Sequence, residues 1–169
     1  AFIPSSSMDT KPTLNYIYNL KSFTRRTDLQ RMEKILNILG NPHKKFKSIH
    51  VAGTNGKGSV STFIYSVLRE AGLNVALYTS PHLVKFNERI KVMDNDISDS
   101  DLVRLADIIK EKAKGLDITF FEFTTALAFL YFAEKEVEIA VIEVGIGGRL
   151  DATNVLIPLV SVITHVDMD

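Results

Sequence analysis

Gly53, Gly56 and Gly58 fall within six positions of the string His50-Val51-Ala52-Gly53-Thr54-Asn55-Gly56-Lys57-Gly58-Ser59. A short apolar run leads into that string, and a helical pattern over 60–71 leads out of it. Strand, glycine turn and helix in that order constrain the fold more than any other stretch of the chain. The glycines let the backbone curl with its N–H groups turned inward, where a side chain would block a phosphate. The helix behind adds its positive dipole end and its unpaired N–H groups, so polyphosphate is the natural guest. Lys57 is placed to neutralise the terminal phosphates, and the Ser59 hydroxyl to hold a Mg²⁺ ion.

The string departs from the standard G-x-x-x-x-G-K-[ST] phosphate loop. Val51 stands where the first glycine belongs, and Gly58 separates Lys57 from Ser59. A plain glycine turn joining strand to helix is the alternative. The coincidence of lysine, hydroxyl and strand–loop–helix context favours nucleotide.

Length and composition bound the rest. At 169 residues a single domain with an ordinary core is expected. Twenty basic and twenty acidic residues cancel, so no overall field draws nucleic acid or an anionic membrane. The absence of cysteine excludes disulfides, thiolate metal sites and cysteine nucleophiles, and fits a reducing, cytoplasmic setting. The longest apolar run, 126–133, is too short to span a bilayer.

Residues 1–9 read as an added or disordered leader ahead of a domain over 10–169. Helices are expected over 10–20, and from an Asp28 N-cap to Gly40 with Leu29, Met32, Ile35, Leu36 and Leu39 on one face. The run 74–78 is a second strand. With the first strand and the intervening helix it makes a βαβ unit, which predicts parallel pairing of the two strands. A polar segment, 79–90, follows at the strand's carboxyl end, and a small hairpin is expected at 90–95. Further helices are expected over 98–114 and 124–135, and buried central strands over 138–144 and 160–164. The resulting architecture is α/β: a mostly parallel P-loop sheet with helices on both faces and the site at the strand carboxyl ends.

Glu143 lies near the end of an otherwise apolar strand, just before Gly145-Ile146-Gly147-Gly148. A carboxylate beside a sheet is costly unless paired with a cation. An acidic residue at this place in phosphate-loop proteins commonly holds Mg²⁺. Escape of the side chain to solvent at the loop edge is the alternative. Glu122 lies just ahead of an apolar helix and suits the first turn equally well. Arg149 and Asp151 either pair with each other or meet substrate. His82 and His165 are the histidines nearest the site.

Three separated strings then agree. His50 to Ser59 as above, Thr79-Ser80-Pro81-His82-Leu83 with Phe86-Asn87-Glu88-Arg89-Ile90, and Glu143-Val144-Gly145-Ile146-Gly147-Gly148-Arg149-Leu150-Asp151-Ala152-Thr153-Asn154 together closely resemble the folylpolyglutamate synthase/dihydrofolate synthase family, a branch of the Mur ligases. That family carries G-T-N-G-K-G-[ST], which accounts for the offset phosphate loop. The resemblance implies an ATP-dependent, ADP-forming ligase. In such an enzyme a folate or dihydropteroate carboxylate becomes an acyl phosphate and L-glutamate displaces the phosphate. It places ATP on Thr54, Asn55, Gly56, Lys57, Gly58 and Ser59, with Lys57 and Glu143 serving catalysis. It places Mg²⁺ on Ser59, Ser80 and Glu143. It places the pterin substrate on Asp28 and Leu29, on Thr119, Phe120, Phe121 and Glu122, and on Leu150, Asp151 and Ala152.

Family members are longer. Their C-terminal ligase domain, a histidine that holds a second Mg²⁺ and a carbamylated lysine have no counterpart here. The chain therefore reads as the N-terminal ATPase part of a monomeric parent, inactive alone and prone to self-association. Alternatives are a Mur-type ligase of another substrate, a phosphate-loop kinase or NTPase, and a nucleotide-binding module without turnover.

Overall fold

The computed structural model describes residues 8–22, 29–147 and 149–167. Within them the helices are α1 (Lys11–Tyr18), α2 (Leu29–Ile38), α3 (Lys57–Glu70), α4 (Asp99–Lys112) and α5 (Phe120–Glu134). The strands are β1 (Lys47–Ala52), β2 (Val75–Tyr78), β3 (Ile90–Val92), β4 (Asn95–Asp96), β5 (Ile139–Glu143) and β6 (Val160–Ile163). They form one sheet in the order β4-β3-β2-β5-β1-β6. The pairs β2–β5, β5–β1 and β1–β6 are parallel, whereas the β3–β4 hairpin adds an antiparallel edge.

Alternation along the strands divides the core in two. Val51, Val75, Leu77 and Val141 face α3 through Tyr65. Ala76, Tyr78, Ala140 and Ile142 face the opposite way, toward α4, α5 and the two N-terminal helices. Helices thus cover both faces, as the sequence pattern predicts. β5 is buried from Ala140 to Glu143, and β2 along its whole length, because both meet helices on both sides of the sheet.

Two expectations are corrected. β1 and β2 are parallel but do not pair: β5 lies between them. The βαβ argument fixes direction and handedness, not adjacency. β6 is an edge strand rather than a central buried one, with Val160 and Ile163 exposed. Its apolar run alone does not distinguish a core strand from an edge.

Helix boundaries follow local chemistry. Ser98 caps α4 by accepting the Asp101 N–H at 3.1 Å. α3 begins at Lys57, three residues ahead of the sequence pattern, because Gly56 adopts a left-handed φ of 80° as its N-cap. α5 begins at Phe120, not 124. Thr119 Oγ1 accepts the Glu122 N–H, and the Glu122 carboxylate returns to accept the Thr119 N–H. Arg31 clamps that carboxylate at 2.8 Å from α2. This reciprocal cap joins two helices under the site. Thr119→Ala should lower unfolding free energy by about 1–2 kcal/mol in urea denaturation, the usual cost of an N-cap. Unchanged stability would show that the cap contributes nothing.

Candidate nucleotide and metal site

Strand order builds the site. β5 carries Glu143 to the carboxyl edge in register with Val51 of β1, and its preceding residue Ile142 is in register with Tyr78 of β2. The loop after β1 leads into Lys57 at the start of α3 and the loop after β2 bears Ser80, so Glu143 emerges between them. Sequence spacing alone leaves these three residues unrelated.

The phosphate loop is bound on one side by the segment 164–167. His165 O accepts the Thr54 N–H at 2.8 Å and the Asn55 N–H at 3.4 Å. Thr164 Oγ1 donates to Asn55 O at 2.7 Å. Gly53 has a φ of 140°, and a Cβ there would stand 2.0 Å from Thr164 Oγ1. Only glycine fits against this strap. The Thr54 and Asn55 amides are therefore engaged within the protein. The amides of Lys57, Gly58 and Ser59 precede the first intrahelical bond, Val60 N–H to Gly56 O, and receive no side-chain cap. These three amides are the ones suited to phosphate oxygens. Lys57 Nζ lies against Gly53 O at 2.9 Å, inside the curl of the loop. A cleft of about 360 Å³ opens here, bounded by Gly53, Thr54, Lys57, Gly145, Ile146 and Gly147.

Glu143 is 4% exposed and does not escape to solvent. Its Oε2 accepts the Ser80 N–H at 2.9 Å, and a methyl group on Gly58 would come within 3.7 Å of the same oxygen. Among the described residues it forms no ion pair. Burial pushes its carboxyl above the usual 4.5, against the Ser80 amide and the charges of Lys57 and Arg89. A buried, unpaired carboxylate beside a serine-bearing loop and the helix that carries Ser59 is a donor set of hard oxygens. It fits Mg²⁺, which takes one or two carboxylates and completes its octahedron with phosphate and water. No cluster of three acidic, histidine or cysteine ligands occurs among the described residues, so protein ligands alone do not make a closed cage.

The remaining predicted residues divide. Asp28 and Gly148 lie outside the described residues. Leu29 opens α2. Thr119 and Glu122 form the α5 cap, and Glu122 is held by Arg31 at 2.9 Å. Phe120 stacks on Tyr18 at 6.0 Å, with the Arg89 guanidinium 5.4 Å above its ring. Phe121 fills the space at Gly145, where a Cβ would stand 1.9 Å from its Cζ. Leu150 is exposed, whereas Ala152 is buried. Asp151 does not pair with Arg149. Its Oδ2 accepts the Gly145 and Ile146 N–H groups at 3.0 and 3.1 Å.

Several contributors were not assigned from sequence. Thr164 gives no signal before the strap is seen. Arg89 is buried, donates from Nε to His82 Nδ1 at 2.8 Å, and ties the 80–89 loop to Phe120. His50 and Thr153 are quoted in the motifs, yet spacing assigns them nothing; they meet at 2.7 Å.

The elevated Glu143 carboxyl has a stability consequence. The native state keeps a proton over a window where the unfolded chain has lost it. Stability therefore falls as pH rises from about 4.5 through the native value, and the full penalty stands above it. Glu143→Gln keeps an acceptor for Ser80 without the charge. It should melt at a higher temperature than the parent at pH 7.5, with the difference shrinking as pH approaches 4.5. A variant less stable at neutral pH would contradict the assignment.

No family model matches the chain. Folylpolyglutamate synthase of Lacticaseibacillus casei is 43% identical over 96% of this chain and 40% of its own length. Dihydrofolate synthase/folylpolyglutamate synthase of Bacillus subtilis is 44% identical over 92% of this chain and 38% of its own. A solved complex of folylpolyglutamate synthase with AMPPCP and folate superposes with a TM-score of 0.90 and 43% identity, covering 96% of this chain and 41% of that one. The chain spans about 40% of the length of the relatives it matches. Over nearly all of its residues, in sequence and in fold, the chain is similar to about two fifths of these folylpolyglutamate synthase and dihydrofolate synthase relatives.

Proposed function

We propose that this chain supplies the MgATP side of a ligase that joins L-glutamate to dihydropteroate or folate. The carrying observation is that Glu143, in register with Val51 at the carboxyl edge of the sheet, meets the start of α3: its Oε2 is 3.7 Å from the Cβ position of Gly58, and the charge of Lys57 acts on it. Relatives named as folate ligases, and a relative captured with AMPPCP and folate, favour this over a kinase or simple NTPase.

The reaction sets a charge problem. An anionic substrate carboxylate must approach an anionic triphosphate. Its oxygen attacks the γ-phosphorus, the bond to the β-phosphate oxygen breaks, and ADP leaves with that electron pair. The glutamate amine then attacks the acyl carbon, loses a proton, and expels phosphate to leave an amide. Lys57 and the Lys57, Gly58 and Ser59 amides would hold the transferred phosphoryl group. Mg²⁺, when bound, offsets its negative charge, and Glu143, Ser80 and Ser59 are the residues placed to hold it. Phe120, Phe121 and the 150–152 stretch form the side where the pterin-bearing substrate is proposed to lie. Asp28 and Leu29 would flank it. Glu122 and Asp151 would lie on the same side, their carboxylates held by the Thr119, Gly145 and Ile146 amides. The 169-residue chain by itself is proposed to bind these ligands without completing ligation.

Two measurements test this. Lys57→Ala should weaken binding of MgATP about 10- to 100-fold, the worth of a hydrogen bond to a charged group. It should leave the melting temperature unchanged, because Lys57 bonds only to loop carbonyls of its own turn. Unaltered affinity would remove Lys57 from the site. A fluorescence titration with dihydropteroate should saturate, and tighten when MgATP is present. Absence of saturation with MgATP bound would overturn the substrate class while leaving the nucleotide site intact.

A further inference from the structure

His50 and Thr153 belong to two of the motif strings, but phosphate and metal chemistry uses neither. Both are buried, at 8% and 0% exposure, and they lie together at 2.7 Å. Thr153 sits in the 3₁₀ turn Ala152–Val155, and His50 belongs to β1, three residues before Gly53 opens the phosphate loop. The proton order is fixed by chemistry. The Thr153 hydroxyl donates to Asp151 Oδ1, and the Thr153 N–H donates to the same oxygen at 3.0 Å. A hydroxyl has one proton to give. At 2.7 Å His50 Nε2 must therefore donate to Thr153 Oγ1, which fixes the ring as the Nε2–H tautomer. The other Asp151 oxygen holds the Gly145 and Ile146 amides. Gly145 and Ile146 in turn line the same cleft as Lys57.

We propose that His50 is a positioning residue for nucleotide: through Thr153 it fixes the Asp151 carboxylate, which sets the 145–147 turn against the phosphate loop. The relay runs from the strand that carries one wall of the cleft to the turn that forms the other. It ties the two walls at a fixed separation without touching the ligand. A core histidine that only filled space would need no particular donor. This one ends a chain of three hydrogen-bonded groups whose last acceptor organises site backbone. The inference rests on the nucleotide reading of the cleft, but its first test does not.

That first test is hydrogen exchange on the whole 169-residue chain without ligand. His50→Leu and Thr153→Val should each speed exchange of the Gly145 and Ile146 amides about five- to tenfold, the equivalent of one lost hydrogen bond. Exchange in α4, far from the relay, should stay as in the parent. Thr153→Ser and His50→Gln each keep the required donor or hydroxyl, and should restore slow exchange. Unchanged exchange at 145–146 in folded Thr153→Val protein overturns the proposal. So does equal acceleration across the whole sheet, which marks a merely structural role. The second test is calorimetric titration with MgAMPPCP. His50→Leu should weaken affinity about fivefold, and the His50→Leu/Thr153→Val double variant should be no weaker than the worse single, as one broken relay requires. Full affinity in His50→Leu overturns the proposal. Failure of the parent chain to bind MgAMPPCP overturns the nucleotide reading instead, and the exchange result still decides whether His50 positions the turn.

Discussion

A buried carboxylate at the end of the central strand organises this structure. Glu143 is enclosed at the place where three parallel strands open, and no cation of the described chain meets it. A charge kept there without a partner costs stability, and proteins retain such charges where function needs them. The surrounding features serve that position. β5 is inserted between β1 and β2, so the lysine loop and the serine loop flank the same oxygen pair. Gly58 leaves room for that carboxylate against the first turn of α3. The Ser80 amide orients one oxygen, leaving the other free.

The two sides of the cleft are held by different means. The phosphate loop is fixed by a strap of backbone, with His165 O and Thr164 Oγ1 as its contacts. This arrangement engages the loop's leading amides and leaves those of the helix start for a ligand. The opposite wall is fixed by a side-chain chain, His50 to Thr153 to Asp151, that ends on two glycine-turn amides. The Thr119–Glu122 cap with Arg31 locks α2 to α5, where Phe121 packs against Gly145 of the cleft. Preorganisation of this kind is what stabilises developing charge without rearrangement at the moment of reaction.

Much of this was legible in sequence because it rests on local chemistry. The glycine string, the apolar strands and the Ser98 cap each carry a physical reason within a few residues. Glu143 was legible because a charge at the end of an apolar run demands an account. Strand adjacency was not legible: a crossover rule gives direction and hand, while the insertion of β5 between β1 and β2 is set by contacts far apart in the chain. The edge position of β6 was hidden for the same reason. The backbone bonds of Asp151 and Glu122 were not legible, because a carboxylate reads alike in sequence whether or not it caps backbone. Thr164 and His50 act across more than a hundred positions of chain, so no spacing argument reaches them.

The most direct test of the central claim is an amide NMR titration of the 169-residue chain with MgAMPPCP. The account predicts that the largest shifts fall on Lys57, Gly58 and Ser59, followed by Ser80 across from Glu143, and that omitting Mg²⁺ removes the Ser80 response first. Shifts centred elsewhere in the sheet, or identical shifts with and without the metal, would contradict it.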